Sequence, residues 1–332
     1  MAAKLKDVAA AAQVSIKTVS NVVNGYPYIR PETKERVERA IAELGYTPNQ
    51  TARNLRSGRT GVIALALPDL ALAYFAELAG AIVAAADEVG LAVQIEQTGG
   101  SREREIALLR TPRLQATDGV IFSPLEMVED DAAELDVDYP LILLGERIIN
   151  GPSDFVTMKN VEAAAAATEH LLRSGRSRVA LVGAHEGDET GTAAHRLRGY
   201  RQALEAGGIP FDELLVIPAG DWHRVDGLNA TRELLRRGAA FDAIFALNDT
   251  LAFGAIRGLQ EAGVRVPDDV SVMGFDDVDE AAYSTPALTT IDPGRAWIAR
   301  RAVEMLVERI EDPSLPLRQE LGDFRVVERE SA

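Results

Sequence analysis

Beyond residue 60 the chain repeats one pattern, in which a short apolar run is followed by a stretch of helical periodicity and then by another run. Residues 61–67, 91–95, 119–122, 141–144, 179–182, 243–247 and 270–273 are runs of this kind. Residues 75–89, 161–173, 195–206, 228–237 and 250–262 carry helical spacing between them. Runs so short and so uniformly apolar fit strands buried on both faces, as in a parallel sheet covered by its crossover helices. The alternation passes through two cycles and predicts an α/β body of two doubly wound parallel-sheet subdomains. At ~150 residues per domain, a chain of 332 residues has room for them and for one further small unit.

The first 60 residues differ in charge and in periodicity. They hold ten basic and five acidic residues, a net +5, whereas the whole chain carries −16 and residues 61–332 therefore −21. A small basic head on a large acidic body confines any polyanion contact to the head. Leu5, Val8, Ala9 and Ala12 recur on one helical face. Ser15 is suited to cap a second helix from Ile16 to Val23, with Val19, Val22 and Val23 facing inward. Two helices joined by so tight a turn form a helix-turn-helix. Asn24-Gly25-Tyr26-Pro27 stops the second helix, Pro31 opens a third, and Gly45 closes it after Leu44. Its expected buried face is Val37, Ile41 and Leu44.

The string LKDVAAAAQVSIKTVSNVVNG, followed by RPETKERVERAIAELGYTPNQTARNLRSGRTGVIALALPD, closely resembles the head and hinge of the LacI/GalR (lactose-repressor) family. The resemblance continues through Tyr74-Phe75-Ala76-Glu77, Arg196 to Gly199, Asn248-Asp249, Val266 to Ser271 and Phe275-Asp276. It implies an N-terminal all-α helix-turn-helix head at 1–47 and a hinge helix at 48–60. The implied remainder, 61–332, is a periplasmic-binding-protein-like body, with subdomains at 61–160 plus 292–322 and at 161–291 plus 323–332.

In such regulators the second helix enters the major groove, which makes Ile16, Lys17 and Asn21 the implied base readers. Lys17 can donate to guanine, Asn21 can pair with adenine, and Ile16 can pack on a thymine methyl. Many relatives carry Arg where Asn21 stands, so a different half-site is expected. Ser15, Thr18, Ser20, Asn24 and Tyr28 are the implied phosphate contacts, which position the helix without reading sequence. Residues 48–60 lack an apolar stripe and by composition alone read as a linker. The resemblance implies instead that they fold on DNA, with Leu55 as a minor-groove wedge flanked by Arg53 on phosphate and Arg56 at the bases.

For the body, the resemblance implies a small-molecule effector bound outside the carboxyl ends of the strands. Tyr74 and Phe75 match an aromatic pair that lines the cleft, although core packing at a helix start would use the same residues. Asp276 matches a buried ligand-binding aspartate, and Arg196 an arginine that grips ligand. Trp222 falls where relatives stack an aromatic on their effector, or it seals the core. Asn248 is read as a ligand contact with Asp249 as the helix cap, and Arg147 as a weaker candidate. Thr190 stands near the position where purine-binding relatives carry Arg, which weakens a nucleobase effector. Lys159 replaces the Asp that many members have before Asn160. Aromatic faces combined with Asp, Asn and Arg suit a saccharide, whose C–H face stacks and whose hydroxyls need paired partners.

No catalytic constellation emerges. The four histidines form no HExxH pair, and GxSxG and GxxxxGK[ST] are missing. Without cysteine there is no disulfide, thiolate nucleophile or Cys-ligated zinc, so no metal and no cofactor are expected beyond the effector. Lys4, Lys6 and Asp7 interrupt the N-terminal apolar residues, and no run reaches ~18 apolar residues, so neither a secretory signal nor a membrane span is expected. A solute-binding protein would show the reverse, a signal peptide and no basic head. The sequence therefore predicts a cytoplasmic, non-enzymatic transcriptional regulator, chiefly a repressor of carbohydrate-use genes. Its implied partners are a palindromic double-stranded DNA operator, a sugar effector and a second copy of itself, since two-fold pairing aligns two half-sites. The alternatives are control by a protein partner or by a non-sugar effector.

Overall fold

A computed structural model describes residues 3–23, 26–46 and 59–332. They fall into two compact units, one ending at residue 60 and the other beginning at residue 61.

The head unit holds three helices, α1 (Leu5–Ala11), α2 (Ile16–Val23) and α3 (Pro31–Leu44). Ser15 caps α2, its Oγ accepting the Thr18 N–H at 3.0 Å. Pro31 opens α3, and Gly45 ends it at φ +57°, a left-handed conformation that costs glycine little. The core comprises Val8, Ala9, Ala12, Val19, Val37 and Ala40, with Leu5, Val22, Val23 and Ile41 packed at its edge. One expectation fails: Leu44 is 40% exposed and Ala40 takes its place. Three short helices bury only a narrow stripe, and on α3 that stripe is Val37 and Ala40, three residues apart.

The body unit contains strands β1 (Val62–Leu67), β2 (Ala92–Gln97), β3 (Val120–Phe122), β4 (Leu141–Leu144), β5 (Asp154–Met158) and β6 (Val179–Ala184). They are followed by β7 (Val216–Pro218), β8 (Ala243–Ala246), β9 (Ser271–Met273), β10 (Thr290–Asp292), β11 (Gln319–Gly322) and β12 (Arg325–Val327). One sheet is ordered β11-β5-β4-β3-β1-β2, a second β7-β6-β8-β9, and β10 pairs with β12. Every pairing within the two larger sheets is parallel, whereas β10 and β12 run antiparallel. The sequence reading had seven of these strands, with bounds shifted by a few residues, and lacked β5, β7, β10, β11 and β12.

The helices Ala73–Glu88 and Arg295–Glu311 pack on the first sheet through Leu78, Ile82, Ile298, Ala302 and Leu306, all buried. Asn160–Arg173 with Thr192–Ala206, and Arg224–Arg237 with Asp249–Glu261, form close pairs on the second. Small residues permit that closeness. A Cβ at Gly254 would lie 2.0 Å from the Arg224 carbonyl oxygen, and one at Gly199 would lie 2.1 Å from that of Val161.

The chain leaves the first sheet after β5, returns to it after β10 and leaves it again between β11 and β12, so three connections cross there. Gly294 begins the helix at the second passage with φ +76°, and a Cβ there would come within 2.6 Å of the Asp323 carbonyl oxygen at the third. Lys159, which follows β5, donates to Asp323 and is not among the residues that line the cavity described below.

Candidate functional site

The carboxyl ends of both parallel sheets face one cavity of about 330 Å³. From the first sheet it is lined by residues that follow β1, β2, β3 and β4 and by the end of β5, and from the second by residues that follow β6, β7, β8 and β9. Parallel strands end together, so the loops after them gather every short connection at one rim. Tyr74, Phe75, Arg147, Arg196, Trp222, Asn248 and Asp276, scattered over two hundred residues of sequence, all line this cavity.

Tyr74 and Phe75 begin the helix after β1 and meet edge to face, with centroids 5.3 Å apart at 72°. Burial raises the Tyr74 phenol above its ordinary pKa, and the Asp276 charge adds to the effect. Trp222 adopts φ +63° and is held by Nε1 donating to the Gly183 carbonyl at 2.9 Å. His185 lies beside it, with centroids 5.5 Å apart.

Arg196 is 3% exposed and its donors are engaged within the protein. Nε donates to Asn160 Oδ1 at 2.9 Å, Nη1 donates to the Leu247 carbonyl, and Nη2 stands 3.8 Å from Asp276 Oδ1. The guanidinium sits over the Phe275 ring, 3.5 Å from its centroid. Asp276 is 5% exposed and adopts φ +120°, with its backbone held by Ile291 and by Arg295. Burial pushes its carboxyl up to about 7, while Arg196 and Arg295 oppose the rise and Glu77 adds to it.

The cap after β8 is reversed from expectation. Asn248 caps the helix, its Oδ1 accepting the Leu251 N–H at 2.7 Å and its Nδ2 donating to the Trp222 carbonyl at 3.3 Å. Asp249 is instead the first helical residue, fully buried, and accepts from Thr290 Oγ1 at 2.5 Å and the Val278 N–H at 2.9 Å. Burial and the neighbouring Asp276 carry its carboxyl well above the ordinary range.

Polar contacts bridge the two walls. Arg147 Nη1 donates to Asp188 Oδ1 at 3.2 Å, and His223 Nε2 lies 3.4 Å from Asp69 Oδ2. Thr157, Asp188, Glu146, Asp69 and His223 were not among the sequence candidates, although they share with them a position at or just past a strand end. Among the described residues, no group of His, Asp and Glu is disposed to hold a metal ion, and no helix is long and apolar enough to cross a membrane.

In the head, Lys17 is exposed, Ile16 is 52% exposed, and Asn21, four residues after Lys17, is half-buried on the same face of α2. Ser15 is exposed and bonded to Thr18, while Ser20 is half-buried. Tyr28 is 83% exposed and meets Tyr26 edge to face at 5.6 Å. Asn24, Arg53, Leu55 and Arg56 lie outside the described residues.

A helix-turn-helix head joined to an α/β body with a ligand-sized cleft at its strand ends defines a DNA-binding regulator of the effector-responsive class. Residues 4–49 match the model of bacterial regulatory proteins of the lacI family, and residues 168–332 that of the periplasmic binding protein-like domain. The HTH-type transcriptional regulator CelR of Thermobifida fusca is 35% identical over 317 residues, 92% of this chain and 91% of its own length. A LacI-family protein from Sanguibacter keddieii is 51% identical in sequence, with a TM-score of 0.77 over 82% of this chain and 99% of that one. A transcriptional regulator CelR–cellobiose complex is 31% identical, with a TM-score of 0.74 over 99% of this chain and all of that one. The chain belongs to the lacI family of bacterial transcriptional regulators.

Proposed function

We propose that the protein is a cytoplasmic, homodimeric repressor of carbohydrate-use genes that binds a palindromic operator and is switched by a sugar in the cleft. In this reading residues 1–47 form the DNA-binding head, 48–60 the hinge, and the body closes over the effector. The observation that carries it is the convergence of Tyr74, Phe75, Arg147, Arg196, Trp222, Asn248 and Asp276 on one cavity, with aromatic faces beside charged and amide groups. The cellobiose bound by a relative of like fold supports a saccharide in that space.

Lys17, Asn21 and Ile16 would read base edges, and Leu55 with Arg56 the central minor groove. Ser15, Thr18, Ser20, Asn24, Tyr28 and Arg53 would hold phosphates. A single small head makes few contacts, and a two-fold pair doubles them, which is the physical argument for the dimer.

The experiment is selection of an operator from random duplexes, followed by binding of the selected duplex with and without a panel of sugars. Lys17→Ala and Asn21→Ala should each cost about 1–3 kcal/mol on the operator and little on random DNA. Leu55→Ala should reduce the DNA bend. Equal losses on operator and random duplex would remove base reading from α2, and indifference of the operator complex to every sugar would remove the proposed switch.

A further inference from the structure

The cavity walls are unevenly charged. Asp69, Glu126, Glu146, Asp188, Asp221 and Asp276 line them, against two arginines and no lysine. Both arginines already face carboxylates, Arg147 at Asp188 and Arg196 at Asp276. The two lining histidines are also engaged, His223 facing Asp69 at 3.4 Å and His185 Nε2 lying 3.0 Å from the Gly220 carbonyl. An anionic group entering this space would meet cations already compensated and a surplus of negative charge.

Two polar atoms in the same walls are without a hydrogen-bond partner among the described residues. Thr157 Oγ1 belongs to a side chain 3% exposed at the end of β5, and Asp188 Oδ2 belongs to the loop after β6, on the opposite wall. Asp188 Oδ1 is held by Arg147 and by the Gly191 N–H at 2.8 Å, which fixes the carboxylate while leaving Oδ2 unused. A Cβ at Gly191 would fall 2.2 Å from that same oxygen. Buried polar atoms in native proteins are nearly always paired, and an unpaired carboxylate oxygen and an unpaired hydroxyl in residues that line one cavity are complemented by a ligand rich in neutral O–H groups.

We propose that the cleft selects an uncharged saccharide over its phosphate ester, with Thr157 and Asp188 as hydroxyl-binding residues and the Arg147–Asp188 pair withholding Arg147 from anions. This rests on the sugar reading given above.

The test is calorimetric titration of the full chain with ribose, glucose, galactose, mannose, cellobiose, maltose and lactose, each beside its terminal phosphate ester. A neutral sugar should bind at least tenfold more tightly than its ester. Asp188→Asn, which leaves Arg147 facing a neutral amide, should shrink that ratio severalfold by gaining affinity for the ester. Thr157→Val should weaken the neutral sugar at least threefold without lowering the melting temperature, because it deletes an unpaired hydroxyl and keeps the side-chain shape. An ester that binds as tightly as its sugar overturns this proposal and leaves the sugar switch intact. Failure of every sugar and ester to bind overturns both. A Thr157→Val variant that melts lower and binds normally assigns Thr157 to packing.

Discussion

Arg196 and Asp276, eighty residues apart in sequence, stand 3.8 Å apart from Nη2 to Oδ1 in the lining of the cleft, both nearly shut off from solvent. Removing one partner of such a pair leaves the other buried and uncompensated, a loss of about 3–5 kcal/mol. Arg196→Ala also strips a donor from Asn160 and from the Leu247 carbonyl. We expect it to lower the body's stability in urea by that amount. An Arg196→Ala protein as stable as the wild type would show that the pair contributes little to the fold.

Asp276→Asn is the cleaner probe of ligand binding, since the amide preserves shape and Asn tolerates positive φ better than most residues. It should bind the cognate sugar at least tenfold more weakly by calorimetry, equivalent to 1.4 kcal/mol. Its operator affinity without sugar should match the wild type.

The same substitution tests a pH dependence. Burial pushes the Asp276 carboxyl up to about 7 in the folded body, beside the likewise raised Asp249, against ~4 for a free aspartate. Between those values the folded state holds more proton than the unfolded one, so this group's contribution to stability falls as pH rises from about 4 to about 7 and is level above. Asp276→Asn removes this contribution and also the charge that helps to raise Asp249, and both changes act in the same direction. The stability of the variant relative to the wild type should therefore climb between pH 5 and pH 7.5 in parallel urea titrations, and a constant difference would contradict the raised pKa.

Gly254→Ala sets two magnitudes against each other. Alanine gains about 1 kcal/mol of helix propensity over glycine. Here its Cβ would stand 2.0 Å from the Arg224 carbonyl oxygen, and backbone has to move, at about 1–3 kcal/mol or more. Net destabilisation is expected, measured as a lower melting temperature of the body, and a stabilised variant would show that the helix pair Arg224–Arg237 and Asp249–Glu261 can separate freely.

In the head, Ser15→Ala deletes the acceptor for the Thr18 N–H and should cost about 1 kcal/mol of stability. Ser15→Asp, which keeps an acceptor at the cap, should restore the melting temperature. Failure of the restoration would place Ser15's role outside capping.

Much of the molecule was legible in the chain because its signals are local. The three head helices follow from apolar spacing, Ser15, Pro31 and Gly45, all read within a few residues of where they act. The seven apolar runs became strands for a similar reason, since a strand buried on both faces declares itself by composition. The helix Arg295–Glu311 escaped because its buried residues, Ile298, Ala302 and Leu306 among them, are interleaved with arginine and glutamate.

What only the tertiary structure decided depends on distant partners. Gln319–Gly322 is a strand because β5 lies beside it, paired Gln319 to Phe155, and Arg309 and Arg318 close on the buried Asp154. Whether Asn248 or Asp249 caps its helix turns on Thr290 and Val278, which claim the aspartate. Seven residues at the cavity were nameable one at a time from a family resemblance, but Thr157 and Asp188 share with them only a place at or just past a strand end. They acquire meaning when parallel strands from two sheets end at one rim and bring both residues into the lining of one cavity, since sequence periodicity reports which face of an element is buried and not what lies opposite it.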